Sequence, residues 1–262
     1  MRSTLLAIFN ETSKRLRIVL TYRFNILMQL VTVGLIFLGL SFLVQGGQFH
    51  AEQSASILLG YIVWFYARLV IMSSSNDLIG EAQAGTLEQM YMSPTPAGLL
   101  LLGRMFALLV ASSIMVLLPT LGMVLLLGIR IPLRWEGILV LLITLIGLFG
   151  FTLILSGAAL VFKQINELAD LVQNALLFLT GSLLPVSRFP DWLSAIAKTL
   201  PITQGIIVLR NVVLNGQSLL SAWADGSLLW LLIHSGIYVC VGWTIFKGCE
   251  RFARRQGTLG QY

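Results

Sequence analysis

Apolar runs of about twenty residues recur along this chain, separated by short polar stretches. Phe24–Val44 carries no charge, and neither do Met105–Gly128 and Gly137–Phe162. Ser54–Asn76 is interrupted only by Arg68, and His234 is the sole ionisable group of Ser227–Phe246. Leu171–Ser187 is weaker, broken by Gly181 and Pro185. A helix needs about 20 apolar residues to cross a hydrocarbon core of ~30 Å. The pattern therefore predicts an all-α membrane protein, with six transmembrane helices over 24–44, 54–76, 105–128, 137–162, 171–187 and 227–246. All lie in a single domain of 262 residues.

Composition narrows the class. Charged residues make up 11% of the chain and hydrophobic ones 57%, where a soluble domain carries roughly 25% charged residues. A soluble fold is excluded. Cys240 and Cys249 are too few for a disulfide scaffold and are expected to be free thiols. The net charge of +6 is read as an orientation signal, with membrane lipids and no nucleic acid as partners. With the N-terminus inside, eleven lysines and arginines fall on the cytoplasmic side and five outside. Both termini, the second as a tail over 247–262, are therefore expected in the cytoplasm of a cell whose inner (plasma) membrane holds the chain.

Residues 1–23 precede the first span. Leu5, Phe9, Leu16 and Leu20 share a helical stripe, and Asn10, Lys14 and Arg17 lie opposite, as in an amphipathic helix lying in the headgroup region. The first apolar run begins too late and runs too long for a cleaved signal.

Two connections are more than short loops. Residues 77–97, on the cytoplasmic side, are rich in helix formers until Ser93-Pro94-Thr95-Pro96 ends the run. On that helix Glu81, Gly85 and Glu88 align at i, i+4, i+7 beside an apolar patch of Leu87, Met90 and Tyr91. A patch too short to span and already in the cytoplasm calls for a protein partner. Residues 188–214 hold two short apolar segments: one opened by Phe189-Pro190-Asp191-Trp192, with Trp192, Ile196 and Leu200 on one face, the other running Ile202–Leu214. Runs of 10–14 residues suit re-entrant or interfacial placement, so an outer re-entrant hairpin is expected before the last span.

These features together resemble the permeases of the type-2 family of ATP-binding-cassette exporters. Glu81-x-x-x-Gly85-Thr86-Leu87-Glu88-Gln89 followed by Ser93-Pro94 is similar to the cytoplasmic loop signature of its drug and lipo-oligosaccharide exporters. Leu184-Pro185, Phe189-Pro190-x-Trp192 and Leu200-Pro201 support it. The resemblance implies a transmembrane subunit that works as a dimer with a second copy or a paralogue, and separate ATPase subunits that bind ATP and Mg. The loop would be the coupling helix, with Glu81, Gly85, Thr86, Leu87, Glu88, Met90 and Tyr91 as its docking residues. No G-x-x-x-x-G-K-[ST] phosphate loop occurs in these residues, so no cofactor is expected in this chain.

The same resemblance puts the substrate path near the first, second and fifth spans. Candidate pathway residues are Gln29, Trp64, Phe65, Arg68, Gln173, Asn174 and Phe178. Lipid would penalise the polar ones, and Arg68 either lines a cavity, snorkels, or pairs with Glu81 or Glu167. Trp64, Phe65 and Tyr66 are consecutive and point in different directions, some into packing and some toward lipid. His234 is expected to hydrogen-bond between helices, and Pro119 to kink the third span.

Two other functions compete. An ion-coupled carrier usually needs intramembrane acids, and the expected spans hold none. An intramembrane serine protease would need Ser156 to meet His234.

Overall fold

The computed structural model describes residues 9–10, 12–17, 21, 23–83, 97–162 and 165–256. Among them the elements are helices, with no strand. Five are long and apolar enough to cross a membrane: α1 (Arg23–Val44), α2 (Ala51–Gln83), α3 (Ala97–Leu127), α4 (Trp135–Phe162) and α9 (Ser227–Arg255). Between α4 and α9 lie four shorter α-helices, α5 (Asn166–Leu179), α6 (Asp191–Thr199), α7 (Thr203–Val213) and α8 (Leu219–Ala224), with a 3-10 turn at Val186–Arg188.

The centre of the fold is α2. It packs against α1, α3, α4, α5 and α7, and 72% of its most apolar window is buried. Its aromatic residues knit the neighbours together: the Tyr61 hydroxyl donates to the Val33 carbonyl of α1 (2.9 Å) and the Trp64 indole N–H to the Gln173 carbonyl of α5 (2.7 Å). Trp64, Phe65 and Tyr66 are all buried, so none of the three faces lipid as the consecutive spacing suggested. Around this axis, α1 and α3 turn apolar side chains outward, among them Val31, Leu35, Leu121 and Leu125.

The α1–α2 connection is closed by polar contacts. Gln45 donates to Ser41 Oγ (2.6 Å) and Ser54 Oγ (3.0 Å) and accepts from the His50 backbone N–H (2.6 Å). Gly46 and Gly47 take positive φ, 67° and 87°, the conformation that glycine adopts without a Cβ penalty.

On the other side, α4 and α9 approach until their backbones touch. A Cβ on Gly150 would stand 2.3 Å from the Tyr238 carbonyl carbon, and one on Gly242 would stand 1.9 Å from the Gly150 oxygen. Small residues permit this where lipid removes the hydrophobic drive between helices. The α9 helix continues past residue 246, the expected end of its span, to Arg255. Glu250, 4% exposed, bonds Lys247 (2.8 Å) and Arg254 (2.6 Å), which holds this stretch helical. The α3 helix runs through Pro119 without interruption.

The expected fifth span takes another form. Only α5 is helical there, fourteen residues, or about 21 Å at 1.5 Å per residue, short of the ~30 Å core. From Thr180 to Pro185 the chain is unwound, with Gly181 at φ 80°. The carbonyls freed there are taken by Arg210 of α7, 8% exposed: its guanidinium donates to the backbone oxygens of Gly181 (2.7 Å), Ser182 (2.9 Å) and, across on α2, Ser56 (2.9 Å). Irregular backbone survives at membrane depth only where protein satisfies it. Gly60 leaves room for the clasp, since a Cβ there would fall 2.2 Å from the Ser182 oxygen and 2.6 Å from Arg210 Nη2.

The region expected as a re-entrant hairpin is α6 and α7, bent by 94°. That geometry is a broken crossing or a re-entrant loop, and it raises the number of crossings to six in the first case. Trp192 and Ile196 of α6 are exposed while Ala197 is buried, and α7 is buried along nearly its whole length. Thr199 at the end of α6 accepts from Tyr238 Oη (2.6 Å) and lies 3.2 Å from His234 Nε2, so His234 does bond between helices.

Two predictions follow from this packing. Arg210→Lys keeps the charge but not the fork, so it and Arg210→Met should both lower the melting temperature in detergent, each by several degrees. A lysine variant as stable as wild type would contradict the clasp. Gly150→Val should destabilise by about 1–3 kcal/mol through overpacking. Gly236→Ala, with no atom within 4 Å of its added Cβ, should be neutral or slightly stabilising in the same assay.

Candidate functional site

A cavity of about 380 Å³ opens between α1, α2 and α3. From α2 come Arg68, Leu69, Met72, Ser73 and Asn76, spaced i, i+1, i+4, i+5, i+8 on one helical face. Ala111, Ser112 and Met115 of α3 make the opposite wall, Gln29 enters from α1, and Arg15 closes one end. Arg68 lies one turn from Trp64, and its guanidinium carbon sits 5.7 Å from the indole centroid, within cation–π range. Among the described residues Arg68 forms no ion pair. Glu167, one proposed partner, is exposed at the start of α5, and the side chain of the other, Glu81, is outside what is described.

Residues 12–17 are helical, with Lys14 and Arg17 exposed as the amphipathic pattern predicts. Arg15 instead turns inward and pairs with Asp77 of α2. This pair ties the N-terminal segment to the Gln83 end of α2. Arg15 also borders a second, smaller cavity of about 30 Å³ with Asp77, Arg104 and Ser156.

The sequence-derived pathway candidates divide into three places. Gln29 and Arg68 share the cavity. Trp64 and Gln173 form a buried seam between α2 and α5 (the Gln173 amide also donates to Asp170, 2.8 Å), and Phe65 is core. Asn174 and Phe178 are exposed on α5. Of the docking residues, Glu81 belongs to the last turn of α2. Gly85, Thr86, Leu87, Glu88, Met90 and Tyr91 lie outside the described residues.

Arg15, Asp77 and Arg210 went unremarked as functional or structural partners in the sequence. Arg210 had a legible signal, an arginine in an apolar segment, subject to the same cost that drew attention to Arg68. Arg15 had none, because its partner is 62 positions away.

A serine–histidine dyad is not formed. Ser156 Oγ bonds Ser74 Oγ (2.9 Å). In the α4–α9 pair, Gly147 lies against Ser235 and Gly157 against Phe246. Ser156 and His234 are therefore about ten residues apart in level, about 15 Å at the helical rise. Among the described residues no group of three His, Cys, Asp or Glu could hold a metal.

No curated protein matches this chain. The family described as ABC-2 type transporter matches residues 4–214, which takes in α1 through α7, the cavity, the Arg210 clasp and the loop after α2. The chain is a multi-pass membrane permease component, and it belongs to the ABC-2 type transporter family.

Proposed function

We propose that the chain is the transmembrane half of an ATP-driven exporter, working as a dimer with a second copy or a paralogue. Separate ATPase subunits bind ATP and Mg and press on the loop after α2. The cargo is a hydrophobic or amphipathic molecule (a drug, a lipid or a lipid-linked glycan) released to the outer side of a bacterial-type inner membrane, and both termini lie in the cytoplasm. The observation that carries this reading is the ABC-2 match over 4–214 together with the Glu81…Ser93-Pro94 signature inside it.

The fold offers this loop a mechanical route. The loop issues from a single 33-residue helix whose residues also wall the cavity. Glu81 stands thirteen residues from Arg68, about 20 Å along an unbroken helix. Sharp kinks arise at proline, at Gly/Ser pairs or at a bulge; α2 contains no proline and stays helical through Ser73-Ser74-Ser75 to Gln83. ATPase closure that displaces Glu81 and Glu88 therefore displaces the cavity wall. Glu88 is the residue to reverse, because juxtaposing like charges across an interface costs several kcal/mol.

The test couples binding to transport. An ATPase encoded beside this chain should co-purify with it. Glu88→Arg should lower substrate-dependent transport at least tenfold while membrane insertion and melting temperature stay at wild-type values. Transport by the purified chain alone, driven by an ion gradient without ATP, would overturn the reading in favour of a carrier.

A further inference from the structure

The cavity between α1, α2 and α3 holds positive charge that its own walls do not balance. Arg15 and Arg68 both line it, and none of its lining residues among those described is an acid. Arg15 has its counter-charge in Asp77, while its buried Nε has no hydrogen-bond partner among the described residues. Arg68 has the Trp64 ring on one side and no carboxylate partner among the described residues. Beside it Gln29, Ser73, Asn76 and Ser112 bring neutral hydrogen-bonding groups to the same space, and no described residue takes up their amides or hydroxyls.

An arginine within a span costs at least ~2.5 kcal/mol near the centre. A chain that keeps one there, ringed by open donors, leaves the counter-charge to an occupant. The volume of about 380 Å³ lies within the ~300–1,000 Å³ of small-molecule sites. The exposed sides of α1 and α3 describe the rest of the ligand. Leu27, Met28 and Val31 of α1 and Phe106 of α3 are exposed apolar side chains, which suit hydrocarbon rather than a free, hydrated ion.

We propose that this cavity binds the anionic headgroup of an amphiphile, a phosphate or carboxylate with an apolar tail. Arg68 is the charged anchor, suited by its planar fork to two oxygens at once. Gln29 and Asn76 supply neutral donors, and the tail leaves between α1 and α3. The site belongs to this chain whether or not export is correct; only treating the bound amphiphile as cargo rests on the export proposal.

The test uses the full purified chain in a neutral detergent, titrated with dioctanoyl phosphatidic acid, dioctanoyl phosphatidylcholine and inorganic phosphate. Phosphatidic acid should bind at least tenfold more tightly than either of the others. Arg68→Met should weaken it tenfold or more, Arg68→Lys by less, and Gln29→Leu about two- to fivefold. Arg130→Met, at an exposed arginine between α3 and α4, should change nothing. Equal binding of phosphatidylcholine, or undiminished binding by a folded Arg68→Met, would overturn the anionic site. Inorganic phosphate as tight as phosphatidic acid would overturn the amphiphile. Because no ATPase is present, a failure here leaves the Glu88→Arg test standing, and a failure there leaves this one standing.

Discussion

Three backbone carbonyls held by one guanidinium set the architecture of this protein. A helix that ends inside a membrane leaves carbonyls without partners, and in hydrocarbon each such group costs several kcal/mol. Arg210 meets Gly181 and Ser182 just beyond the end of α5 and Ser56 on α2. That permits a fourteen-residue α5, an unwound segment after it, and a buried eleven-residue α7. The charge is dispersed over peptide dipoles instead of being paired with an acid. The arrangement avoids burying a carboxylate, at the cost of requiring all three elements to be in place together. Loss of the arginine would therefore leave the Gly181 and Ser182 carbonyls unmet, where loss of a surface ion pair exposes no such group.

Much of this was legible from hydropathy, and the parts that were not share a physical cause. Long charge-free runs marked α1, α3, α4 and α9 because lipid exposure demands length and apolarity together. Gly181 and Pro185 marked the break in 171–187, but hydropathy cannot see that Arg210 takes up the carbonyls freed there. Trp64, Phe65 and Tyr66 offered no way to choose between lipid and protein, since both are apolar; only the central position of α2 decides that all three are buried. Of the candidate pathway residues, Gln29 and Arg68 came together as polarity suggested. Gln173 is polar for a different reason, bonding Asp170 on its own helix. The Arg15–Asp77 pair joins segments 62 positions apart, and no local pattern reports so distant a partner.

The molecule also divides into stiff and compliant parts. Where α4 meets α9, backbone lies on backbone at Gly150 and Gly242, so neither helix can slide without a collision. Nothing of that kind joins α1 to α2, where a tyrosine hydroxyl and packed rings make the contact. The candidate cavity lies on this looser side. A cavity wall that must change shape is better placed there than against the close-packed pair, since discrete side-chain contacts can exchange partners more readily than backbones in direct contact.

Gly60 gives that division a geometric outcome. Its missing side chain brings α2 into direct contact with the Ser182 carbonyl and the Arg210 guanidinium, so this point of α2 is pinned while the remainder is held by side chains. A rod pinned near one end is a lever with a fulcrum. From Gly60 to Gln83 the arm is about 35 Å, and to Arg68 about 12 Å. A tilt of about 5° would then carry the far end roughly 3 Å but shift Arg68 by only about 1 Å. Were the loop driven as proposed, such a lever would trade a wide, weak stroke there for a short, forceful one at the cavity, a gearing of nearly three to one set by the position of a single glycine.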